Sequence, residues 1–349
     1  MEINQINETT KHSMRTRVIT GLVMLFTLAP CVILGGYFHV AVVVFVLTVA
    51  TFEILRSLGK KFSPIVYIAS YLVVFSLTFW TMTKNMFGDF PAVTPENWFY
   101  MGTGGYFLNG DNPFDIGSIS GLFVSTAGVA LCIAIFFLTV VIDKNFTIRD
   151  ATFIFTMLVV ISLGIQSVLF LRFYPYTLYE ISGPWMDKPI DGSLYWWFLS
   201  SMLLIYVLIG TIATDVGGYF FGLLFGKKKL NERISPKKTI EGFVGGIIFS
   251  VIMSFGFAIT FAATGIPILP IFDLDNWWII LIVSLAMPFF AVLGDLSFSA
   301  IKREQSIKDF GNVFPGHGGV LDRFDSLLFT SAVTTILVSF FSIGWNLLG

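Results

Sequence analysis

Charge is what this chain has least of. Asp, Glu, Lys and Arg together make up 12% of its 349 residues, against 55% hydrophobic residues and 17% aromatics. A soluble domain of this length needs far more polar surface, so the composition excludes one and points to an integral membrane protein. Cysteine is nearly absent. Cys31 and Cys132 both lie in apolar runs and read as small packing residues, not as a disulfide or a metal site. No small-x-small cleavage site follows the basic start at Lys11, Arg15 and Arg17, so the apolar run after it reads as a retained anchor and not a signal peptide. There is no internal repeat of the kind that builds many transporters, and no phosphate-loop pattern. The net charge of −1 points to no partner by itself, and no nucleic-acid partner is expected.

What the chain does have is a succession of apolar runs. A helix crossing the roughly 30 Å hydrocarbon core needs about 20 mostly apolar residues. Runs at 18–36, 39–56, 64–83, 119–142, 151–171, 194–224, 240–263, 277–300 and 325–347 meet that length approximately. The expectation is an all-α, polytopic membrane protein of about nine helices, with the first two forming a tight hairpin at Gly35 and Gly36. Placing the N-terminus in the cytoplasm and the C-terminus outside leaves eighteen Lys and Arg on inner segments and three (Lys84, Arg172 and Lys188) on outer ones, a strong positive-inside bias. The outer loops 84–118 and 172–193 are rich in Gly, Pro, Asn and aromatics; Trp98, Tyr100, Trp185, Trp196 and Trp197 suit interfacial anchors. The chain reads as one membrane-embedded domain over 1–349, with spans and outer loops in 1–193 and catalytic helices and inner loops in 194–349.

Few acids lie in or beside the spans: Glu53, Asp215, Glu241, Asp295, Asp322 and Asp325. An ionisable group at that depth is costly unless paired or wet, so each is a functional candidate. Asp295, Ser299 and Lys302 share one helical stripe at i, i+4 and i+7. Asp322 and Asp325 align at i and i+3 if the last helix already includes Asp322. Between them, residues 297–326 crowd Lys302, Arg303, Lys308, Asp309, His317 and Arg323 into one inner loop. Its glycines, Gly311, Gly316, Gly318 and Gly319, permit sharp turns that can bring N–H groups to an anion. His317 can contact a phosphate or serve structure alone. A second inner loop, 226–246, carries Ser235, Lys237, Lys238 and Thr239 ahead of a helix start, an arrangement that favours an anion. Gly242, Gly245 and Gly246 suggest close helix packing. Carboxylates able to hold Mg²⁺ beside cations able to hold phosphates are what nucleotidyl transfer requires. The alternatives are structural ion pairs, or a proton- or cation-coupled transporter, which gives no reason for the dense 297–326 loop.

The segment Ser299-x-Ile301-Lys302-Arg303, Lys308-Asp309-x-Gly311, then Pro315-x-His317-Gly318-Gly319-Val320-x-Asp322-Arg323-Phe324-Asp325 resembles the signature of the CDP-diacylglycerol synthase (phosphatidate cytidylyltransferase) family, without departure. Asp215 with Gly217, Gly218 and Tyr219, the Ser235–Thr239 run and Gly294-Asp295-Leu296 are also similar, so the resemblance covers roughly 211–326. It is closest to the bacterial type. It implies a multi-pass inner-membrane enzyme with its site on the cytoplasmic side, converting phosphatidate and CTP into CDP-diacylglycerol and pyrophosphate. It also implies Mg²⁺, with K⁺ in some members, on Asp295 and Asp322, and a homodimer. Asp215 is a third candidate metal ligand. On this reading Asp215, Asp295, Asp322, Lys302 and Arg303 carry the chemistry, and Ser235, Lys237, Lys238, Thr239, Ser299, His317, Arg323 and Asp325 bind substrate. The D-G-x-x-A-R motif of the CDP-alcohol phosphotransferases is absent.

Overall fold

Long apolar helices dominate the computed structural model of the chain, which describes residues 8–86, 130, 133–182 and 194–343. In chain order they are α1 (Glu8–Leu34), α2 (Gly36–Ser57), α3 (Pro64–Met86), α4 (Ile133–Ile142), α5 (Ile148–Ser182) and α6 (Leu194–Phe225), then α7 (Ile240–Ala263), α8 (Trp277–Glu304) and α9 (Leu321–Ile343). Among the described residues six of these (α2, α5, α6, α7, α8 and α9) are long and apolar enough to cross a membrane. The expectation of nine is corrected to that figure. The remaining three expected spans coincide with apolar helical stretches, Ile19–Leu34, Pro64–Phe79 and Ile133–Ile142 among the described residues. The protein is a multi-pass membrane protein.

Two further differences concern what lies between the helices. The inner loop after α6 is not irregular: Lys229–Asn231 (β1) and Ser235–Thr239 (β2) form a two-stranded antiparallel hairpin. Asn231 closes its turn by accepting the Ile234 N–H at 3.2 Å. Arg172, expected at the start of an outer loop, is wholly buried inside α5, which continues to Ser182. Its guanidinium donates to the carbonyls of Val32 (2.6 Å) and Ile33 (2.9 Å) and to Ser200 Oγ (2.5 Å). Those carbonyls end α1, where Gly35 (φ +64°) breaks the chain as the sequence suggests; a Cβ on Gly35 would collide with Arg172. A cation on carbonyls at a helix C-terminus satisfies groups that no helix can satisfy internally. The aromatic loop at 87–118, with Trp98 and Tyr100, lies outside the described residues, as do Cys132, Trp185, Lys188 and the side chains of Trp196 and Trp197.

Packing is inside-out relative to a soluble bundle. The buried face of α7 is Gly242, Gly245, Gly246, Ser250, Ser254, Ala258 and Ala262, while Val244, Ile248 and Ile252 face outward. Hydrocarbon outside gives large apolar side chains no reason to turn inward, so small residues set the contact and let backbones approach. The facing stripe on α6 is Gly217, Gly218 and Gly222: a Cβ on Gly242 would meet the Gly218 carbonyl at 2.6 Å, and one on Gly245 would overlap Phe221. This close contact fixes the stretch of α6 that carries Asp215, at the start of that stripe, relative to α7. Two larger apolar clusters complete the interior, one on α2, α3, α4 and α5 with Phe298 of α8 and Leu328 of α9, the other on α5, α6 and α8 with residues 268–272, Ala258 of α7 and Leu327 of α9; Phe324 of α9 packs against both.

Candidate active site at the ends of α6, α8 and α9

Three helices deliver acids to one place. α8 and α9 cross where Gly294 lacks a side chain; a Cβ there would lie 2.5 Å from the Asp325 carbonyl. The crossing sets Asp295 and Asp325 within electrostatic reach of each other and of Asp215 on α6. Cations ring the three. Lys238, at the end of the hairpin, pairs with Asp295 Oδ2, and Ser299, one turn on, donates to Asp295 Oδ1 at 3.3 Å. Arg323 acts on Asp215, and Lys302 on Asp325, through space. The hairpin thus does what a loop could not: strand pairing and the Thr239 cap, whose hydroxyl accepts the Gly242 N–H at 3.1 Å, fix where Lys238 points. Glu241 fastens the hairpin's other end by accepting the N–H of Lys227 (3.0 Å) and Lys228 (3.2 Å).

Asp322 belongs to a different arrangement. It lies in the first turn of α9, as the spacing anticipates, but both its oxygens are engaged. Oδ1 takes Lys302 Nζ at 2.8 Å; Oδ2 accepts the N–H groups of Phe310 (2.8 Å) and Gly319 (3.0 Å). Side-chain exposure is 12% for Lys302 and 3% for Asp322, so this is a buried pair with its remaining lone pairs satisfied. The loop that returns to it is held by α8's ending, a left-handed turn at Ser306 (φ 55°) in which the Ile307 N–H closes on the Lys302 carbonyl.

Sequence reasoning left Glu53 without a role, and the structure supplies one. Its carboxylate, on α2 and 2% exposed, accepts the N–H groups of Val320 and Leu321, each at 2.9 Å. It caps α9 from another helix. Gly311 and Gly319 leave room for it, since a Cβ on either would overlap its carboxylate. The signal was present, an acid inside an apolar run, but nothing local could name its partner 267 residues away. The expectation that the glycine loop offers N–H groups to a substrate anion therefore changes: at Phe310, Gly319, Val320 and Leu321 they hold the protein's own acids.

The other expected residues divide by exposure. Arg323 is exposed and donates to the His317 carbonyl at 2.8 Å; Arg303 is exposed and reaches the Ile234 carbonyl of the hairpin at 3.5 Å. Lys237 is exposed and Ser235 half-buried on the hairpin. His317 packs beneath α1, its ring 3.9 Å from where a Gly21 Cβ would stand, beside a bond from Thr20 Oγ1 to the Pro315 carbonyl. Among the described residues no three His, Cys, Asp or Glu side chains lie close enough together to hold a metal ion. The donor chemistry nonetheless discriminates: Asp215 and Asp295, acids that repel each other beside a single paired lysine, suit a dication, whereas Asp322 already serves three donors.

The chain matches the sequence model of the Cytidylyltransferase family over residues 15–341. It is 42% identical over 153 residues to phosphatidate cytidylyltransferase of Staphylococcus haemolyticus (strain JCSC1435), covering 42% of this chain and 54% of the relative. It is 33% identical over 213 residues to the protein of the same name from Staphylococcus aureus (strain COL), covering 60% of this chain and 67% of that one. The chain spans about half the length of the first of these relatives. A match running from α1 to α9 takes in every helix that bears on the carboxylates, and the chain belongs to the cytidylyltransferase family.

Proposed function

We propose that the protein is a phosphatidate cytidylyltransferase, transferring CMP from CTP to phosphatidate to give CDP-diacylglycerol and pyrophosphate in phospholipid synthesis. One observation carries the reading: acids on α6, α8 and α9 meet cations from the hairpin (Lys238), α8 (Lys302) and α9 (Arg323) at one side of a membrane bundle. A lipid substrate keeps its chains in the bilayer and a nucleotide comes from water, so their shared centre belongs at such a boundary. The relatives' name supplies the substrates. The eighteen inner Lys and Arg support a cytoplasmic site in the inner (plasma) membrane, and burial of Arg172 removes one of three outer exceptions. A cytoplasmic N-terminus, an outside C-terminus and a single membrane-embedded domain are our reading of the full chain.

An oxygen of the phosphatidate phosphate attacks the α-phosphorus of CTP; the new P–O bond forms as the bond to pyrophosphate breaks, and pyrophosphate leaves with that electron pair. The nucleophile is already anionic near neutral pH, since the second pKa of a phosphate monoester is about 6, so no strong general base is needed. The barrier is the approach of two polyanions. Lys237, Arg303 and Arg323 are exposed and able to take phosphate oxygens, and Lys238 can exchange its carboxylate for one. Asp295 and Asp215 would hold Mg²⁺; Asp322 joins them only if Lys302 leaves Oδ1. Held by these residues, the ion would supply positive charge to stabilise the negative charge that develops on the leaving group. Ser299 and Lys238 keep Asp295 oriented meanwhile.

The test is to incubate the purified protein with CTP, Mg²⁺ and phosphatidate in mixed micelles and in vesicles. CDP-diacylglycerol and pyrophosphate should appear in equal amounts, and Asp295→Asn should abolish both. No product from the wild-type protein under any lipid condition overturns the proposal.

A further inference from the structure

An apolar chamber of about 390 Å³ lies within the bundle, between α1, α2, α5, α6 and α9. Its walls include Ala29, Val43, Val168 and Leu208; Cys31 and His39 are the least apolar residues that touch it. Its lining runs from Gly21, Ile212 and Phe324 at one end to Ile33 and His39, near the break at Gly35, at the other. Between Gly21 and Ile33 an α-helix rises about 18 Å, slightly more than half the roughly 30 Å hydrocarbon core, which is the depth one leaflet's chains occupy. The lining residues follow α1 over that whole length, so the space is elongated along the helix.

The chamber meets the candidate site on two helices at once. Phe324 stands between Arg323 and Asp325, and Ile212 lies three residues, one helical turn, before Asp215. A lipid whose phosphate rests among Arg323, Lys238 and Asp295 therefore has the chamber's mouth within a turn of its headgroup. The lining offers almost nothing to a polar ligand, and an empty void of this size would cost stability in proportion to its volume. Inside a bilayer the available apolar filler is an acyl chain.

We propose that the chamber receives one acyl chain of phosphatidate and makes the enzyme sensitive to that chain's length, an inference that rests on the activity proposed above. The second chain stays in the bilayer. α1 then has a function beyond anchoring: it forms the wall that separates the held chain from bulk lipid, and His317 beneath Gly21 ties that wall to the 305–320 loop.

Two variants and one probe test this. Ala29→Phe narrows the chamber midway, and Leu208→Ala widens it. Over a series from dioctanoyl to dipalmitoyl phosphatidate, Ala29→Phe should lower kcat/KM about tenfold or more for the long chains and leave the shortest nearly unchanged, since a misfit of a methylene or more in an apolar pocket is worth roughly 10–200-fold. Leu208→Ala should shift the optimum toward bulkier chains. A phosphatidate with a terminal diazirine on one chain, photolysed in the wild-type protein, should label residues near Ile33 and His39; a phosphatidylcholine bearing the same chain should not. Turnover with an unaltered chain-length profile in both variants overturns the chamber's role, and equal labelling by the phosphatidylcholine probe assigns the space to a structural lipid and overturns it as well. If no phosphatidate is turned over while the phosphatidate probe still labels the chamber selectively, the activity fails and the chamber stands.

Discussion

Replacing Glu53 with glutamine tests whether a residue that touches no substrate sets up the candidate site. The side chain keeps its shape and loses one acceptor. In the wild type both carboxylate oxygens accept N–H groups at the start of α9, each at 2.9 Å. In Glu53→Gln one N–H keeps the amide oxygen, while the other faces an NH₂ group and goes unpaired where water cannot reach. Hydrogen bonds to charged groups contribute about 1.5–3 kcal/mol, and a buried unpaired donor costs about 1–3 kcal/mol. Loss of the negative charge at a helix N-terminus adds up to about 2 kcal/mol. Because these overlap, a net loss of about 3 kcal/mol is expected, which for a chain of this size lowers Tm by about 5 °C. The damage falls on the segment carrying Asp322, Arg323 and Asp325, so turnover should fall together with Tm. Gly319→Ala should reproduce both effects, since its Cβ overlaps the same carboxylate. A double-mutant cycle should be strongly non-additive, because each change unseats one contact. Thermal unfolding in detergent and product formation from CTP are the assays. A Glu53→Gln protein melting within about 1 °C of wild type, or additivity in the cycle, would refute the cap.

Asp295→Asn and Asp322→Asn should separate chemistry from architecture. Asp295 is about a quarter exposed, so its loss should abolish turnover with little change in Tm, whereas Asp322→Asn strands Lys302 in a buried site and should cost about 3–5 kcal/mol as well as activity; equal Tm values for the two variants would contradict this. Gly245→Ala should force α6 and α7 apart at Phe221 and lower both stability, by about 1–3 kcal/mol, and activity, because Asp215 rides on α6 and the Lys238 hairpin joins α6 to α7; unchanged activity would show that the α6–α7 contact does not position them. Arg172→Leu should remove the donors to the Val32 and Ile33 carbonyls and destabilise by roughly 2–4 kcal/mol, with the chain-length profile on phosphatidate altered more than the affinity for CTP, read from steady-state kinetics in CTP and in lipid.

Which parts could be read from the residues alone follows from range. The span positions, the break at Gly35, the close contact through Gly242 and Gly245 and the Asp295–Ser299 stripe depend on neighbours a few residues apart, and periodicity expresses them directly. The hairpin is not expected from the sequence because Pro236 and the lysines beside it read as an anion-favouring loop ahead of a helix start, while its strands pair through only a few residues.

The division of labour among the aspartates was not legible at all. Asp295, Asp322 and Asp325 look alike in sequence, all acids at the rim of an apolar run beside Lys and Arg. What separates them is which donors the fold turns toward each. Asp322 sits where the loop doubles back, so amides from positions 310 and 319 reach it together with Lys302, and it becomes the knot of the loop. Asp295 sits on the flank of α8, where among the described residues a lysine from a separate hairpin and its own Ser299 are the donors that reach it. A carboxylate held by backbone amides cannot turn to a substrate without loosening the loop, whereas one held by a lysine side chain can exchange partners when phosphates arrive. The same charge therefore gives a fixed support in one position and an exchangeable ligand in the other, and the backbone decides which.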